Sequence, residues 1–201
     1  MTNPAPPSSA TPQETPLRKN AEYVWWLSGE IMLSIGAGIG LFASPLIALL
    51  VTGSASAAGI VGLLGGIGSI AGMLPGGIMT DRYDRKLLVI TGGLLGLAVK
   101  GLFIAVLLFG DAGMWTLGAI AFIDQLRGAL FEPASTAMLR QIVTRKQLPT
   151  AVSVNQGRDA AVELGSGPAG GVLLGLGIAF PVIAQLLGHI GSLAMTLLLR
   201  D

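Results

Sequence analysis

Apolar residues in this chain come in long unbroken runs, without the two-residue alternation of a half-buried strand. Six runs stand out, at roughly 23–50, 56–79, 87–110, 113–138, 149–175 and 177–199. At about 1.5 Å rise per residue, a helix of some 20 residues crosses a hydrocarbon layer of about 30 Å. A backbone in lipid has to satisfy its own hydrogen bonds, so runs of this kind predict helices. The breaks are short: Thr52-Gly53-Ser54, the charged stretch 81–86, Gly110-Asp111-Ala112, the segment 140–149 and a turn near Gly177. The pattern predicts an all-α, polytopic membrane bundle of six transmembrane helices over 22–201. Ahead of it, MTNPAPPSSATPQETPLRKN is rich in Pro, Ser and Thr. Such a segment cannot bury a core, so residues 1–21 are expected to form a disordered tail. It is not a secretory signal, because Arg18-Lys19 precede an apolar run too long for an h-region.

Composition agrees with the pattern. Apolar residues make up 52% and charged residues 11% of the 201, against roughly 25% charged in soluble domains. Mean hydropathy is +0.73. A net charge of +1 gives no basis for nucleic-acid binding. With no cysteine and one histidine, no metal site, cofactor or histidine-based catalytic triad is expected.

The cations fix an orientation. Arg18, Lys19, Arg82, Arg85, Lys86, Arg140, Arg145, Lys146 and Arg200 fall on one side of the six runs, and the three opposite loops hold none. The positive-inside rule then places both termini in the cytoplasm. Tyr23, Trp25 and Trp26 read as an interfacial belt, as does Trp115 on the other side. Glycines recur every four residues at Gly36/Gly40, Gly62/Gly66, Gly68/Gly72/Gly76 and Gly167/Gly171/Gly175, the spacing that brings helix backbones together in lipid.

The stretch Gly76-Gly77-Ile78-Met79-Thr80-Asp81-Arg82-Tyr83-Asp84-Arg85-Lys86 resembles the signature loop G-x-x-x-D-[RK]-x-G-[RK]-[RK] of the major facilitator superfamily. Gly77, Asp81, Arg82, Arg85 and Lys86 match, and Asp84 replaces the family glycine. Phe131-Glu132-Pro133-Ala134 with Met138–Val143, and the segment 147–156, resemble patterns of the exporter branch that includes the enterobactin exporter. The sequence around Gly167, Pro168 and Gly171 resembles the antiporter motif of helix 5 in part, with Glu163 where a glycine is expected. The family arginine of helix 4 falls on Ala121, so its proton-relay role is not transferred to Arg127. The resemblance implies the N-terminal six-helix half of such a transporter, built as two inverted three-helix repeats and located in a bacterial inner membrane. It also implies that helices 1, 2, 4 and 5 line the central path and that the signature loop gates its cytoplasmic side, with Gly77 letting helices 2 and 3 approach.

Seven of the ionisable residues inside the apolar runs need weighing: Glu30, Lys100, Asp124, Arg127, Arg158, Asp159 and Glu163. Such groups are costly in lipid and mark functional positions. Three residues apart on a helix, Asp124 and Arg127 can pair; Asn155, Asp159 and Glu163 share a face. Glu30, Asp124, Arg127, Asp159 and Glu163 are the candidates for an aqueous path, with Glu163 and Glu30 the candidate proton carriers because neither has a cation on its own face. Lys100 is expected to snorkel or to meet Asp111. His189 is expected to hydrogen-bond between helices. The expected function is proton-coupled export of a small organic molecule, such as a drug or siderophore, with lipid and a second six-helix half as partners. The alternative is a truncated or split membrane module that scaffolds a partner without transport.

Overall fold

The computed structural model describes residues 16–199. It contains six helices and, among the described residues, no strand: α1 (Ala21–Thr52), α2 (Ala55–Arg82), α3 (Arg85–Phe109), α4 (Met114–Ile142), α5 (Leu148–Leu176) and α6 (Phe180–Leu197). Four of them, α1, α2, α3 and α6, are long and apolar enough to cross a membrane. The two that fall short, α4 and α5, are as long as the others and carry Asp124, Arg127, Arg158, Asp159 and Glu163. Most of the expected tail lies outside the described residues. Of the remainder, Leu17–Lys19 forms a 3-10 turn, and Asn20 caps α1 by accepting from the Glu22 and Tyr23 amides. Asn20 Nδ2 also donates to the Ile142 carbonyl, 3.1 Å away, so the tail's last residues are tied to the bundle.

Each junction is made by local chemistry. Gly53, at φ +67°, ends α1 in the left-handed region open to glycine. The Ser54 hydroxyl then accepts from the Ala57 amide to start α2. Between α2 and α3 only Tyr83 and Asp84 lie outside the helices, and the Asp84 carboxylate caps α3 at the Leu87 amide, 2.8 Å away. This cap explains why an aspartate fits where the resembled motif has glycine. Gly177, at φ +150°, makes the turn from α5 to α6.

Cross-contacts show that the helices alternate in direction. Asn20 at the start of α1 meets Ile142 at the end of α4. At the start of α3, Arg85 Nη1 donates to the Ala137 carbonyl of α4 and Lys86 Nζ to the Leu199 carbonyl just past α6. Cations thus sit at helix C-termini, where the dipole favours them. One end of the bundle therefore gathers all the loop cations of the described residues, as the sequence pattern requires.

Glycine decides which helices touch. Gly68, Gly72 and Gly76 place α2 on α4: a Cβ on Gly72 would lie 2.7 Å from both the Leu126 carbonyl and the Ala129 side chain. α1 packs on α6 in the same way, with Gly36 against Gln185 and Gly188 against Met32. The expected role of Gly77 is not seen in packing. Nothing lies within 4 Å of a Cβ built there, and α2 finds its neighbours in α4 and α1, not in α3. In α5, Gly171 and Gly175 likewise face open space.

Two apolar clusters plug the bundle. At the cation-rich end are Tyr23, Trp26, Met138, Leu139, Val143, Ala151 and Leu199. At the other are Ala43, Ile47, Ala48, Val61, Phe103, Leu117, Ile120 and Val182. Tyr23 and Trp26 are core residues, each 4% exposed, so only Trp25 of that trio and Trp115 remain on the surface as interfacial residues. Indole and phenol rings supply large buried area, and packing against α4 outweighs their preference for an interface.

Candidate functional site

Between the apolar clusters lies an open cavity of about 780 Å³. All six helices contribute to its wall, including α3 through Lys100 and α6 through Gln185 and His189. The wall is therefore not confined to helices 1, 2, 4 and 5, the four that the resemblance implies. α3 and α6 pack on each other and on α4 and α1, which turns their polar residues inward.

On the α3–α4–α6 side, Lys100 Nζ lies 2.5 Å from Asp124 Oδ2. It also donates to Gln185 Oε1. Gln185 is held in turn by donating through Nε2 to the Pro181 carbonyl. Asp124 Oδ1 receives Arg127 Nη2 at 3.2 Å, and Arg127 Nη1 donates to the Gly92 carbonyl of α3 at 3.2 Å. The expected Asp124–Arg127 pair is present. Lys100 does not snorkel or reach Asp111; it is 4% exposed and bound to Asp124. Its ammonium has a carboxylate within reach across the α3–α4 contact, which costs less than extending to an interface. His189 lies 4% exposed beside Gly96, whose missing side chain makes room for the ring. Its Nδ1 has no hydrogen-bond partner, and neither does Arg127 Nε.

On the α1–α4–α5 side, Glu30 Oε1 accepts from the Ser135 hydroxyl at 2.6 Å. Ser135 Oγ in turn accepts from Trp26 Nε1 at 3.0 Å. Arg158 Nη1 stands 3.6 Å from Glu30 Oε2, an ionic contact without a hydrogen bond. The expected Arg158–Asp159 pair forms at 2.8 Å. Glu30 therefore does have a cation, supplied by α5 across the helix contact, which a reading of its own helix face could not find. Glu163 lines the cavity, is exposed and forms no ion pair among the described residues. Gly167 borders the same wall, and Pro168 continues α5 without an amide to offer Leu164.

Of the five candidates for the path, Glu30, Asp124, Arg127, Asp159 and Glu163, all line this cavity. Signature residues Asp81 and Arg82 form the exposed last turn of α2, while Arg85 and Lys86 open α3. Gly171 does not line the cavity. Lys100, Gln185, His189 and Ser135 are wall residues that periodicity alone did not select. No group of acidic, histidine or cysteine residues suited to a metal occurs among the described residues.

A family model described as transmembrane secretion effector matches residues 11–199. The chain belongs to this family. Its members are transporters of the major facilitator type, and the apolar helices agree that this is an integral membrane protein. No curated protein matches the chain. No solved structure matches it.

Proposed function

We propose that this chain is a six-span half of a proton-coupled exporter that moves a small organic molecule by alternating access. The observation that carries the reading is the cavity: about 780 Å³, within the range of about 300–1,000 Å³ typical of small-molecule sites, and walled by charges that lipid would not tolerate without a purpose. α4 and α5 complete the six spans, their charges turned to this cavity in place of lipid. Helix pairing supports two inverted repeats: exchanging α1, α2, α3 with α4, α5, α6 converts the α2–α4 contact into α5–α1 and the α1–α6 contact into α4–α3, and all four are present. Glu163 is the proposed proton carrier, and the charged end with Asp81, Arg82, Arg85 and Lys86 is the cytoplasmic gate.

The exposed flank of α5, with Gly171 and Gly175 uncovered and with Asp159 and Glu163 exposed where they border the open cavity, asks for a second half beside it. That half is a second copy or a separate helix bundle. Crosslinks from Ala37 or Gly128 in native membranes should trap it; recovery of monomer alone would remove the partner. Orientation is tested by cysteine labelling, in which Ser54→Cys and Asp111→Cys react from outside and Tyr83→Cys and Thr144→Cys do not. Transport itself is tested in proteoliposomes under an imposed proton gradient, with a panel of labelled organic anions, cations and neutral compounds. Gradient-driven accumulation of at least one class is expected. A folded, correctly oriented protein that moves none of them would favour the second reading, a scaffold whose uncovered α5 flank binds a partner.

A further inference from the structure

The two sides of the cavity differ in charge. At the α3–α4–α6 pole two cations, Lys100 and Arg127, share one carboxylate, Asp124, leaving a single positive charge in excess. The side chains of Lys100 and Arg127 are 5% and 15% exposed, so water does little to compensate for that charge. Uncompensated buried charge is costly, and buried polar atoms are normally hydrogen-bonded. Yet two donor-capable atoms here, Arg127 Nε and His189 Nδ1, have no partner. The His189 ring packs against Gly96, and Arg127 Nη1 donates to the carbonyl of Gly92 one turn earlier on α3, which places both orphan atoms in one neighbourhood. The other acids of the wall do not fill the gap. Glu30 is bound to Ser135 and faces Arg158, Asp159 is bound to Arg158, and Glu163 stands exposed on α5. Glu132, further along α4, is within electrostatic reach of both Arg158 and Arg127, but it is exposed and forms no ion pair with either among the described residues.

We propose that this pole is a subsite for the carboxylate of an amphiphilic organic monoanion, received by Arg127 and His189 at the inner wall of the cavity. This assignment rests on the transport reading for its biological meaning and deepens it by naming the substrate class. One excess positive charge matches one carboxylate. A guanidinium with a free Nε–H offers the planar donor geometry that carboxylates take, and the unpartnered imidazole nitrogen supplies a second donor in its Nδ1–H form. The opposite pole, where Glu30, Glu132, Asp159 and Glu163 face the single cation Arg158, repels an anion. A bound monoanion is thus oriented with its charge against α4 and α6. Its apolar body meets Val89, Phe131 and Leu193, which line the same wall.

Binding tests this without requiring transport. The purified full chain in neutral detergent is titrated with benzoate and with benzamide, which has the same ring and no charge, and thermal unfolding is followed. Benzoate is expected to raise the midpoint in a saturable way, with apparent affinity at least tenfold above that of benzamide. Arg127→Gln is expected to erase that preference, His189→Ala to reduce it severalfold, and Arg140→Gln, which removes an exposed cation at the end of α4, to leave it intact. Equal effects of benzoate and benzamide on the unmodified chain overturn the subsite, and so does a preference that Arg140→Gln removes as fully as His189→Ala. Should Arg127→Gln not fold, the unmodified chain and His189→Ala still decide. A protein that binds benzoate selectively but carries nothing in vesicles would sink the transport reading and leave the subsite standing.

Discussion

At the α3–α4–α6 pole of the cavity, Lys100 and Asp124 are 5% and 17% exposed and every charged group has a protein partner within 3.2 Å. At the α1–α5 pole the closest approach of Arg158 to Glu30 is 3.6 Å, the Asp159 side chain is 60% exposed, and Glu163 pairs with no cation among the described residues. Both poles are built from acids and bases, and α4 and α5, which carry most of them, are both 29 residues long. Neighbouring helices make the difference: α4 is covered by α2, α3 and α1, and α5 chiefly by α1. Covered charges become structural pairs, and uncovered ones stay available to solvent, protons or a moving partner. The same contrast runs through the glycines. The α2 stripe is pressed into α4, whereas much of the α5 stripe is open.

The comparison breaks most readily at the covered pole. Asp124→Leu should leave Lys100 and Arg127 without their shared carboxylate in a buried site and destabilise the chain by about 3–5 kcal/mol, the cost of orphaning one member of a buried ion pair. The double change Lys100→Met with Asp124→Leu keeps the same net charge at that pole and should be milder than the single change. Unfolding in mixed micelles measures both. A loss below about 1 kcal/mol for the single variant, small on the scale of a broken buried pair, would mean that the pole is already wet.

Ser135→Ala is expected to come next. It removes the acceptor of Trp26 Nε1 and the donor to Glu30 together, and unsatisfied buried groups cost about 1–3 kcal/mol each. Tryptophan emission should change with stability, since the Trp26 indole loses its hydrogen bond to Ser135. An unaltered spectrum and an unaltered midpoint would show that water replaces the hydroxyl.

A matched pair of glycine substitutions sharpens the contrast. Gly72→Ala forces a methyl to 2.7 Å from the Leu126 carbonyl, an overpacking that typically costs about 1–3 kcal/mol. Gly171→Ala meets nothing within 4 Å and should gain up to about 1 kcal/mol from helix propensity. Equal responses would erase the distinction between a packed and an open stripe. A loss at Gly171→Ala seen only in native membranes would reveal the covering partner.

Much of this was legible in the chain. Element positions follow from the apolar runs, because lipid length and loop charge leave little freedom, and the observed helices begin and end within a few residues of those runs. Pairs within one helix, Asp124–Arg127 and Arg158–Asp159, follow from sequence spacing alone. Contacts between helices do not. Lys100 with Asp124, Glu30 with Ser135 and Arg158, and the burial of Tyr23 and Trp26 depend on which helix faces which, and periodicity does not encode that choice. Nor did it separate the glycines that pack from those, such as Gly77, that do not.

Glu163→Gln is expected to have the smallest effect on the fold and the most specific effect on function. Glu163 is exposed and makes no ion pair, so its neutral isostere removes no stabilising contact, and surface changes of this kind stay within about 0.5 kcal/mol. If its carboxyl takes up and releases protons as the cavity opens to either side, the amide holds the site in one protonation-like state. Export driven by a proton gradient should then cease, while exchange of substrate down its own gradient continues. Glu30→Gln serves as the contrast, because losing that charge leaves Arg158 less compensated and should also lower stability. Gradient-driven export that survives in Glu163→Gln would move the coupling role to Glu30, at the same pole but held by Ser135 and Arg158.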